Sequence, residues 1–319
     1  MPAPELSSPV IAPGTPALPT QTTPPGGARP DNVRGMVWMA LAALAMVTSN
    51  MLVKEATATL PPIQVVFFRA IVIVTCLAPW VLRHPGLLML GTTWRLHIAR
   101  ALLGTSAFVL MAYALKYMVF ADAVALAHTI PLWVIVISLL LYGEHVGWRR
   151  TTATLAGFAG VLMIVRPSVD MNPFALAALG GALLSAFEMF VVKRMTRSVT
   201  VAGIVFTYSL LGILFTAIPA AMTWVTPGPR EWMLAAGVGI AAVIGHLTTV
   251  NAYRLGEATA ITPVGYMRMP FSVLIGLFIF DELPHLWSIV GTVVILAATL
   301  YISFREARLK REGRIGGGR

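Results

Sequence analysis

The stretch GYMRMPFSVLIGLFIF, residues 265–280, carries an arginine, Arg268, inside an otherwise almost wholly apolar run. A charged side chain at the centre of a bilayer costs roughly 2.5–3.5 kcal/mol on insertion scales and more in simulations. If lipid surrounds this run, the chain must shelter Arg268 within a helix bundle or beside a water-filled cavity. The surrounding sequence indicates whether lipid is the solvent.

Composition favours lipid. Hydrophobic residues make up 57% of the chain and charged residues only 11%, whereas a soluble domain carries about 25% charged residues. Too little polar surface remains to cover a water-facing globule. An integral membrane protein is therefore predicted.

Ten apolar runs follow one another closely. Each is expected to be helical because lipid offers the backbone no hydrogen-bond partners, and the sequence lacks the alternating polarity of barrel strands. A crossing helix needs about 20 residues, so the third and fifth runs are short. The prediction is an all-α integral membrane fold with ten transmembrane helices, at about 36–53, 63–82, 98–116, 119–141, 151–166, 173–192, 202–224, 232–252, 259–280 and 284–304.

Basic residues predict the orientation. Ten spans place both termini on one side, and 17 of the 23 lysines and arginines fall in segments on that side. Because cytoplasmic segments are enriched in basic residues, both termini are predicted to be cytoplasmic, in a bacterial-type inner membrane. The same bias accounts for the net charge of +10 without a nucleic-acid partner. Four basic residues fall on the opposite side: Lys54, Lys116, Arg166 and Arg230.

The ends of the chain differ from its centre. Residues 1–35 include nine prolines among the first thirty residues, and they lack the charged start and apolar core of a signal peptide. A disordered, proline-rich tail is predicted there, and a basic cytoplasmic tail at 305–319. The single cysteine, Cys76, excludes an internal disulfide and is expected to be buried.

The chain matches itself when it is shifted by 138 to 140 residues. MVTSNMLVK (46–54) falls on SAFEMFVVK (185–193), which pairs Lys54 with Lys193, and Glu144 pairs with Glu282. The predicted halves are 36–166 and 173–304. Because each half has five spans, an odd number, the second half enters the membrane upside down, which gives two inverted five-helix repeats.

These features resemble the drug/metabolite transporter superfamily, EamA family. The resemblance covers residues 36 to about 305 and rests on the two five-helix halves, FFRA (67–70) in the second span, YGE (142–144) and FDE (280–282). It implies a ten-helix bundle with a central cavity between the halves. It also implies a small organic solute as cargo: an amino acid, another metabolite or a vitamin-like compound.

Two spans carry helix-breaking prolines at corresponding places. In span nine Pro263 and Pro270 bracket Arg268, and in span four Pro131 lies three residues after His128. Proline removes a backbone donor and crowds the carbonyl four residues earlier. Interrupted helices at matching positions of two repeats indicate a transporter binding site.

Arg268 is predicted to contact the substrate or to gate its path, and the alternative is a buried strut paired with a carbonyl or with Glu188. Glu188 is predicted either to contact the substrate, to couple proton movement to transport, or simply to reach water. Four further site candidates have core packing as their alternative: His128, Tyr113, Trp133 and Tyr266.

Other conspicuous residues are predicted to be structural. The position of Arg69 matches a common arginine of the family it resembles. Glu144 and Glu282 begin connections into spans five and ten, where a carboxylate favours a helix N-terminus. A stripe of small residues permits close helix contact in span eight: Gly237, Ala241 and Gly245.

The predicted function is secondary transport of a small organic solute by alternating access. The sequence has no phosphate-binding loop and no hydrolase or metalloprotease motif, and its isolated histidines lack metal-ligand spacing. No enzyme activity, cofactor or metal is therefore expected. The alternatives are a non-transporting scaffold or receptor and an intramembrane enzyme. Proton coupling is compatible with Glu188, and either a monomer or a homodimer fits the sequence.

The charge asymmetry predicts which positions face outward. In a Cys76→Ser background, single cysteines at Arg230 and at Arg314 lie on opposite sides of the membrane in the predicted topology. An impermeant thiol reagent added to intact cells should label position 230 only. Labelling at 314 alone would reverse the orientation.

Overall fold

The computed structural model describes residues 31–83, 94–142, 148–166, 171–195 and 201–311. All regular structure in these ranges is helical, as predicted. The described ranges contain a 3₁₀ segment, Thr262–Met267, and twelve α-helices: α1 Asn32–Thr57, α2 Pro62–Arg83, α3 Trp94–Tyr117, α4 Phe120–Ala127, α5 Ile130–Tyr142, α6 Trp148–Val165, α7 Phe174–Met195, α8 Val201–Met222, α9 Pro229–Leu255, α10 Ala258–Ile261, α11 Arg268–Ile279 and α12 Leu286–Arg311.

Nine helical segments of the described chain are long and apolar enough to cross a membrane. Two of them are built from more than one helix: α4 with α5 in Phe120–Leu140, and the 3₁₀ segment with α11 in Thr262–Ile279. The predicted fifth span corresponds to α6, whose first turn holds Arg149 and Arg150. It packs lengthwise against α12 and completes the ten-span pattern.

The surface of the bundle is apolar, as lipid contact requires. Leu140, Ile218 and Phe278 are 74%, 72% and 78% exposed. Cys76 is also exposed, so the expectation that it is buried is wrong. In a membrane protein an apolar run does not distinguish residues that face lipid from residues that face the core, because both environments are apolar.

Helix packing follows a twofold pattern between the halves. Helix α1 packs along α9 and α7 packs along α3, which are the first-with-eighth and sixth-with-third spans. Exchanging the halves interchanges these two contacts. The contacts of α2 with α8 and of α6 with α12 map onto themselves. Pro79 inside α2 and Pro219 inside α8 occupy equivalent places, at the offset found in the sequence.

The bundle has two ends, which face opposite sides of the membrane. The near face is the end where α1 begins and α12 finishes, and the far face is the end where α1 finishes at Thr57. Since successive spans alternate in direction, the connection between α11 and α12 lies at the far face.

Glycines allow the closest helix contacts. A Cβ atom at Gly245 would lie 2.8 Å from Met46, and one at Gly237 would lie 3.0 Å from Leu52, which joins the predicted small-residue stripe of α9 to α1. The α6–α12 contact is tighter still, because a Cβ at Gly291 would lie 2.6 Å from the carbonyl oxygen of Gly160.

The Gly291 contact predicts a stability effect. Gly291→Ala places a methyl group against backbone that cannot rotate away, and overpacking of this kind costs about 1–3 kcal/mol. The melting temperature of the purified protein should fall. Gly180→Ala is the matched control, since its new Cβ meets only Leu110 at an ordinary 3.5 Å. Equal melting temperatures for the two variants would contradict this account of the α6–α12 contact.

Candidate functional site

Span four is interrupted at its centre. Helix α4 finishes at Ala127 and α5 begins at Ile130, so the break lies just before Pro131. The side chains of the two residues between the helices add hydrogen bonds to carbonyls near the end of α4, which also accept backbone N–H groups. His128 donates from Nδ1 to the carbonyl of Val124 (2.8 Å), and the Thr129 hydroxyl donates to the carbonyl of Leu126 (2.6 Å).

Span nine is interrupted at the corresponding place. The single turn α10 leads into the 3₁₀ segment, and α11 begins at Arg268. Pro263 lies in the first turn of the 3₁₀ segment and Pro270 in the first turn of α11. At these positions a missing backbone N–H leaves no helical hydrogen bond unmade. The prolines therefore mark where each new helical segment starts.

The two breaks meet in the interior. The rings of His128 and Tyr266 lie 6.1 Å apart, centroid to centroid, and Arg268 lies within electrostatic range of His128. The Nε atom of Arg268 is buried and has no hydrogen-bond partner among the described residues. Tyr266 reaches toward α12, with its hydroxyl 3.5 Å from that of Ser303.

Glu188 is paired with an arginine that the sequence analysis did not consider for the site. Arg100 Nη2 lies 3.3 Å from Glu188 Oε1, Arg100 Nη1 donates to the carbonyl of Ile204 (3.1 Å), and the guanidinium lies 4.6 Å from the centre of the Tyr208 ring. The suggested pairing of Glu188 with Arg268 is not found in the described chain. Arg100 is one of the 17 basic residues that the sequence analysis assigned to the cytoplasmic side. In the structure it is buried in α3.

His246 and Arg69 connect the two clusters. His246 lies within electrostatic range of Arg69, Arg100 and Arg268, and Arg69 acts on Glu188 as well. Arg69 is buried, with its guanidinium 4.1 Å from the centre of the Phe108 ring. We refer to the connected set as the polar belt: Arg69, Arg100, His128, Glu188, His246, Tyr266 and Arg268. It holds three arginines and one carboxylate.

Two predicted site residues lie apart from the polar belt. Trp133 packs edge-on against Phe158 of α6, with ring centroids 5.1 Å apart, and its indole nitrogen has no hydrogen-bond partner among the described residues. Tyr113 is half-buried on α3. No hydrogen bond or ring contact joins it to the belt within the part of the chain that the structure describes.

Glu282 makes a different contact from the one expected. It lies in the connection before α12, but its carboxylate accepts the backbone N–H of Phe120 (2.7 Å), at the start of α4. Its other oxygen lies 2.6 Å from Lys54 Nζ. The helix N-terminus that it caps therefore belongs to the other half of the molecule. Glu144, its counterpart in the repeat, lies outside the described residues.

The broken spans contact each other unequally at the two faces. Toward the far face α4 packs directly on α11, where the rings of Phe120 and Phe280 lie 5.5 Å apart. Toward the near face, the described residues of α5 show no comparable packing on α10 or the 3₁₀ segment. Among the described residues, the seam between the broken spans is thus packed at the far face and not to a comparable extent at the near face.

A polytopic helical bundle with two broken spans around buried charges defines a class, the membrane carriers of small solutes. Comparison with known proteins identifies the family. The model of the EamA-like transporter family matches residues 33–166 and again residues 172–304. The chain belongs to this family, as the sequence analysis predicted, and it transports a small solute.

Its relatives carry chemically different cargoes. A pseudopaline exporter, CntI, of Pseudomonas aeruginosa is 30% identical over 84% of this chain and 95% of its own. An S-adenosylmethionine uptake transporter of Rickettsia bellii is 27% identical over 86% and 94%. A riboflavin transporter of Vibrio cholerae is 28% identical over 88% and 97%.

Solved structures share the fold, and one of them illustrates the match. It superposes with a TM-score of 0.61 over 86% of this chain and 98% of its own, at 20% sequence identity.

The Arg100–Glu188 pair predicts a stability effect inside the bundle. Arg100→Met leaves the Glu188 charge buried without its partner, and breaking a buried pair costs roughly 3–5 kcal/mol. Yield and melting temperature should fall and should recover in part in Arg100→Met/Glu188→Gln. As a control, Glu55→Gln breaks the exposed pair with Arg230, which is worth at most about 1 kcal/mol. A double variant no more stable than Arg100→Met would contradict the pairing.

Proposed function

We propose that the solute binds at the polar belt, between the broken spans four and nine, and that transport proceeds by alternating access to this site. The observation that carries the proposal is Arg268, an arginine at the junction of the two breaks. In the part of the chain that the structure describes, its electrostatic neighbours are Tyr253, His128 and His246 and include no carboxylate. Arg100 and Glu188, by contrast, compensate each other.

An uncompensated charge near the middle of a bilayer is costly. Structural arginines in this protein avoid that cost by pairing, as Arg100 does with Glu188, or by stacking on a ring, as Arg69 does on Phe108. Arg268 has neither arrangement among the described residues. A solute that offers an acceptor group to the Arg268 guanidinium lowers the free energy of the bound state. This stabilisation supports binding of the solute at Arg268.

The chemistry of the belt favours a particular kind of ligand group. A guanidinium offers five donors in a rigid planar fork that matches a carboxylate or a phosphate. Three arginines against one carboxylate give the described belt a positive excess. The solute is therefore proposed to present a carboxylate or a comparable anionic or strongly polar acceptor to Arg268. The rings of His128 and Tyr266, inclined at 52° to each other, lie beside it.

The unequal seam supports an assignment of state. Helices α4 and α11 are packed at the far face, while the described near-face halves of the same spans show no comparable packing, so the belt is proposed to open toward the near face. The basic-residue bias supports a cytoplasmic near face in an inner membrane. In this orientation the proposed state is that of a carrier facing inward. The proposal does not include chemical conversion of the solute. A second version of it adds proton coupling through Glu188.

Flux in proteoliposomes tests the function directly. Riboflavin and S-adenosylmethionine are the first probes, and a panel of small carboxylates is the second. A carrier moves a solute unchanged across the membrane. Chemical conversion of the solute would identify an intramembrane enzyme, and the absence of both across the panel would support a scaffold or receptor.

Substitution of Arg268 tests the site. Arg268→Lys keeps the charge but loses the fork, so transport per folded molecule should fall about tenfold, the effect of roughly 1.4 kcal/mol. Arg268→Met should lose nearly all transport. Both proteins should melt no lower than the parent, because no described partner is left unpaired.

Arg230→Met is the matched control, since it removes an arginine that is exposed at the far face. It should transport at the parental rate. Normal transport by a well-folded Arg268→Met protein would remove Arg268 from the mechanism. A lower melting temperature with proportionate loss of yield would instead support the role of a strut.

A further inference from the structure

We propose that Lys54 and Glu282 form the gate that closes the far face during transport. This inference rests on the proposed alternating access and adds two residues that act away from the polar belt. The gate consists of two side chains and the two backbone groups they bind, and we call it the far-face latch: Lys54, Glu282, the Met118 carbonyl and the Phe120 N–H.

Lys54 and Glu282 contact each other, and each also makes a hydrogen bond to a backbone group. Lys54 Nζ lies 2.6 Å from Glu282 Oε1 and donates to the carbonyl of Met118, also at 2.6 Å. Glu282 Oε2 accepts from the backbone N–H of Phe120 at 2.7 Å. A carboxylate at this position also faces the positive end of α4. Each charged group therefore serves the ion pair and one backbone group in the α3–α4 region.

The latch joins the two halves across the seam between α4 and α11. Lys54 and Phe120 belong to the first half and Glu282 to the second. A second polar contact between the halves lies nearby, where the Ser288 hydroxyl donates to Asp122 of α4 (3.0 Å). Beneath the ion pair, Lys54 lies 5.3 Å from the centre of the Phe280 ring, which packs on Phe120. Separation of α4 from α11 at this face requires the hydrogen bond from Phe120 to Glu282 to break, and with it either the ion pair or the contact of Lys54 with the Met118 carbonyl.

The position of Glu282 is set by the turn that follows α11. Asp281 adopts a left-handed backbone conformation with φ 53°, and the N–H of Glu282 donates to the carbonyl of Gly276 (2.8 Å). This turn directs the carboxylate back over the end of α11 instead of toward α12. Glu282 therefore moves with α11, as a gate between α11 and α4 requires.

Partial exposure suits the latch to repeated opening. The side chains of Lys54 and Glu282 are 11% and 25% exposed, so water reaches both when they separate. A fully buried pair lacks this replacement and is far more costly to break. The neighbouring Arg230–Glu55 pair, between α9 and α1, is more exposed and lies outside the α4–α11 seam.

Thiol labelling measures opening of the far face without a known solute. In the Cys76→Ser protein, Ser272→Cys is the reporter, because Ser272 is buried on α11 one turn from Gly276, whose Cβ position faces Phe120. Thr226→Cys, in the exposed connection before α9, marks access to the far face. Whichever membrane side labels Thr226→Cys identifies that face, so a reversed orientation does not count against the latch.

Glu282→Gln keeps an acceptor for Phe120 but removes the charge, and it should raise the labelling rate of Ser272→Cys by roughly tenfold. Lys54→Gln should act alike, whereas Lys54→Arg should stay close to the parental rate. Glu55→Gln, the matched control on the same helix, should leave the rate unchanged. A purely structural pair would lower the melting temperature and leave labelling within twofold of the parent, and that result would overturn the proposal.

A disulfide across the seam gives a second test that keeps Lys54 and Glu282 intact. A Cβ built at Gly276 lies 4.0 Å from Cβ of Phe120, within the range that a disulfide spans. Oxidised Phe120→Cys/Gly276→Cys should stop transport of the solute found in the flux screen, and reduction should restore it. Each single-cysteine protein should transport under the same oxidant. Parental transport by the oxidised double variant would exclude closure at this seam.

The experiments distinguish an error in the proposed latch from an error in the proposed binding site. If Arg268 proves unimportant while Glu282→Gln still exposes Ser272→Cys, the latch stands without the proposed site. If Arg268 is essential while labelling never changes, the site stands without the latch.

Discussion

The cost of placing a charge in hydrocarbon is the constraint on which the rest of the structure depends. Three arginines and a glutamate lie in the interior of a bundle whose surface is apolar. Lipid cannot solvate them, so the helices that carry them must face one another. Around Arg268 this requirement coincides with a second one, since the break in span nine leaves backbone groups that also need polar neighbours. The Arg268 charge and the unpaired backbone groups of the helix break therefore lie in one region, where each provides polar neighbours for the other.

The repeat duplicates the backbone and leaves the side chains free to differ. The two breaks occupy equivalent places, and the spans pair according to a twofold pattern. At the offset of the repeat, however, Glu188 corresponds to Ser49, which donates to the carbonyl of Val238 at 3.0 Å. Arg268 similarly has no charged counterpart beside Pro131. A symmetric scaffold thus surrounds an asymmetric site, which explains how one family accommodates cargoes as different as those of its named relatives.

The sequence predicted the fold well because lipid removes most alternatives. Length, apolarity and an odd number of spans per half determine an all-α bundle with inverted repeats, and both expectations agree with the structure. The site was harder to predict, since a polar residue on an apolar helix does not reveal which partner it meets. Arg100 lies near the start of the predicted third span and was counted with the cytoplasmic charges, but α3 begins earlier, at Trp94, and buries it. Glu282 looked like a cap for the next helix in the chain, and only the tertiary packing brings Phe120 closer. Cys76 shows the same limit, because apolar sequence does not separate lipid from core.

The two ion pairs of the interior are exposed to a similar degree, 11% and 20% for Arg100 and Glu188 and 11% and 25% for Lys54 and Glu282, so their surroundings distinguish them. Arg100–Glu188 is backed by Tyr208 and by a backbone carbonyl in α8, and it lies within the long α3–α7 packing. Lys54–Glu282 lies at the far face, where water replaces each partner as they separate. A carrier needs its two states to differ by only a few kcal/mol, so the contacts that change between them have to be replaceable. The largely apolar α1–α9 packing, by contrast, has no comparable substitute in water. The packing around each polar contact therefore indicates which parts of the bundle hold the fold and which parts are suited to move.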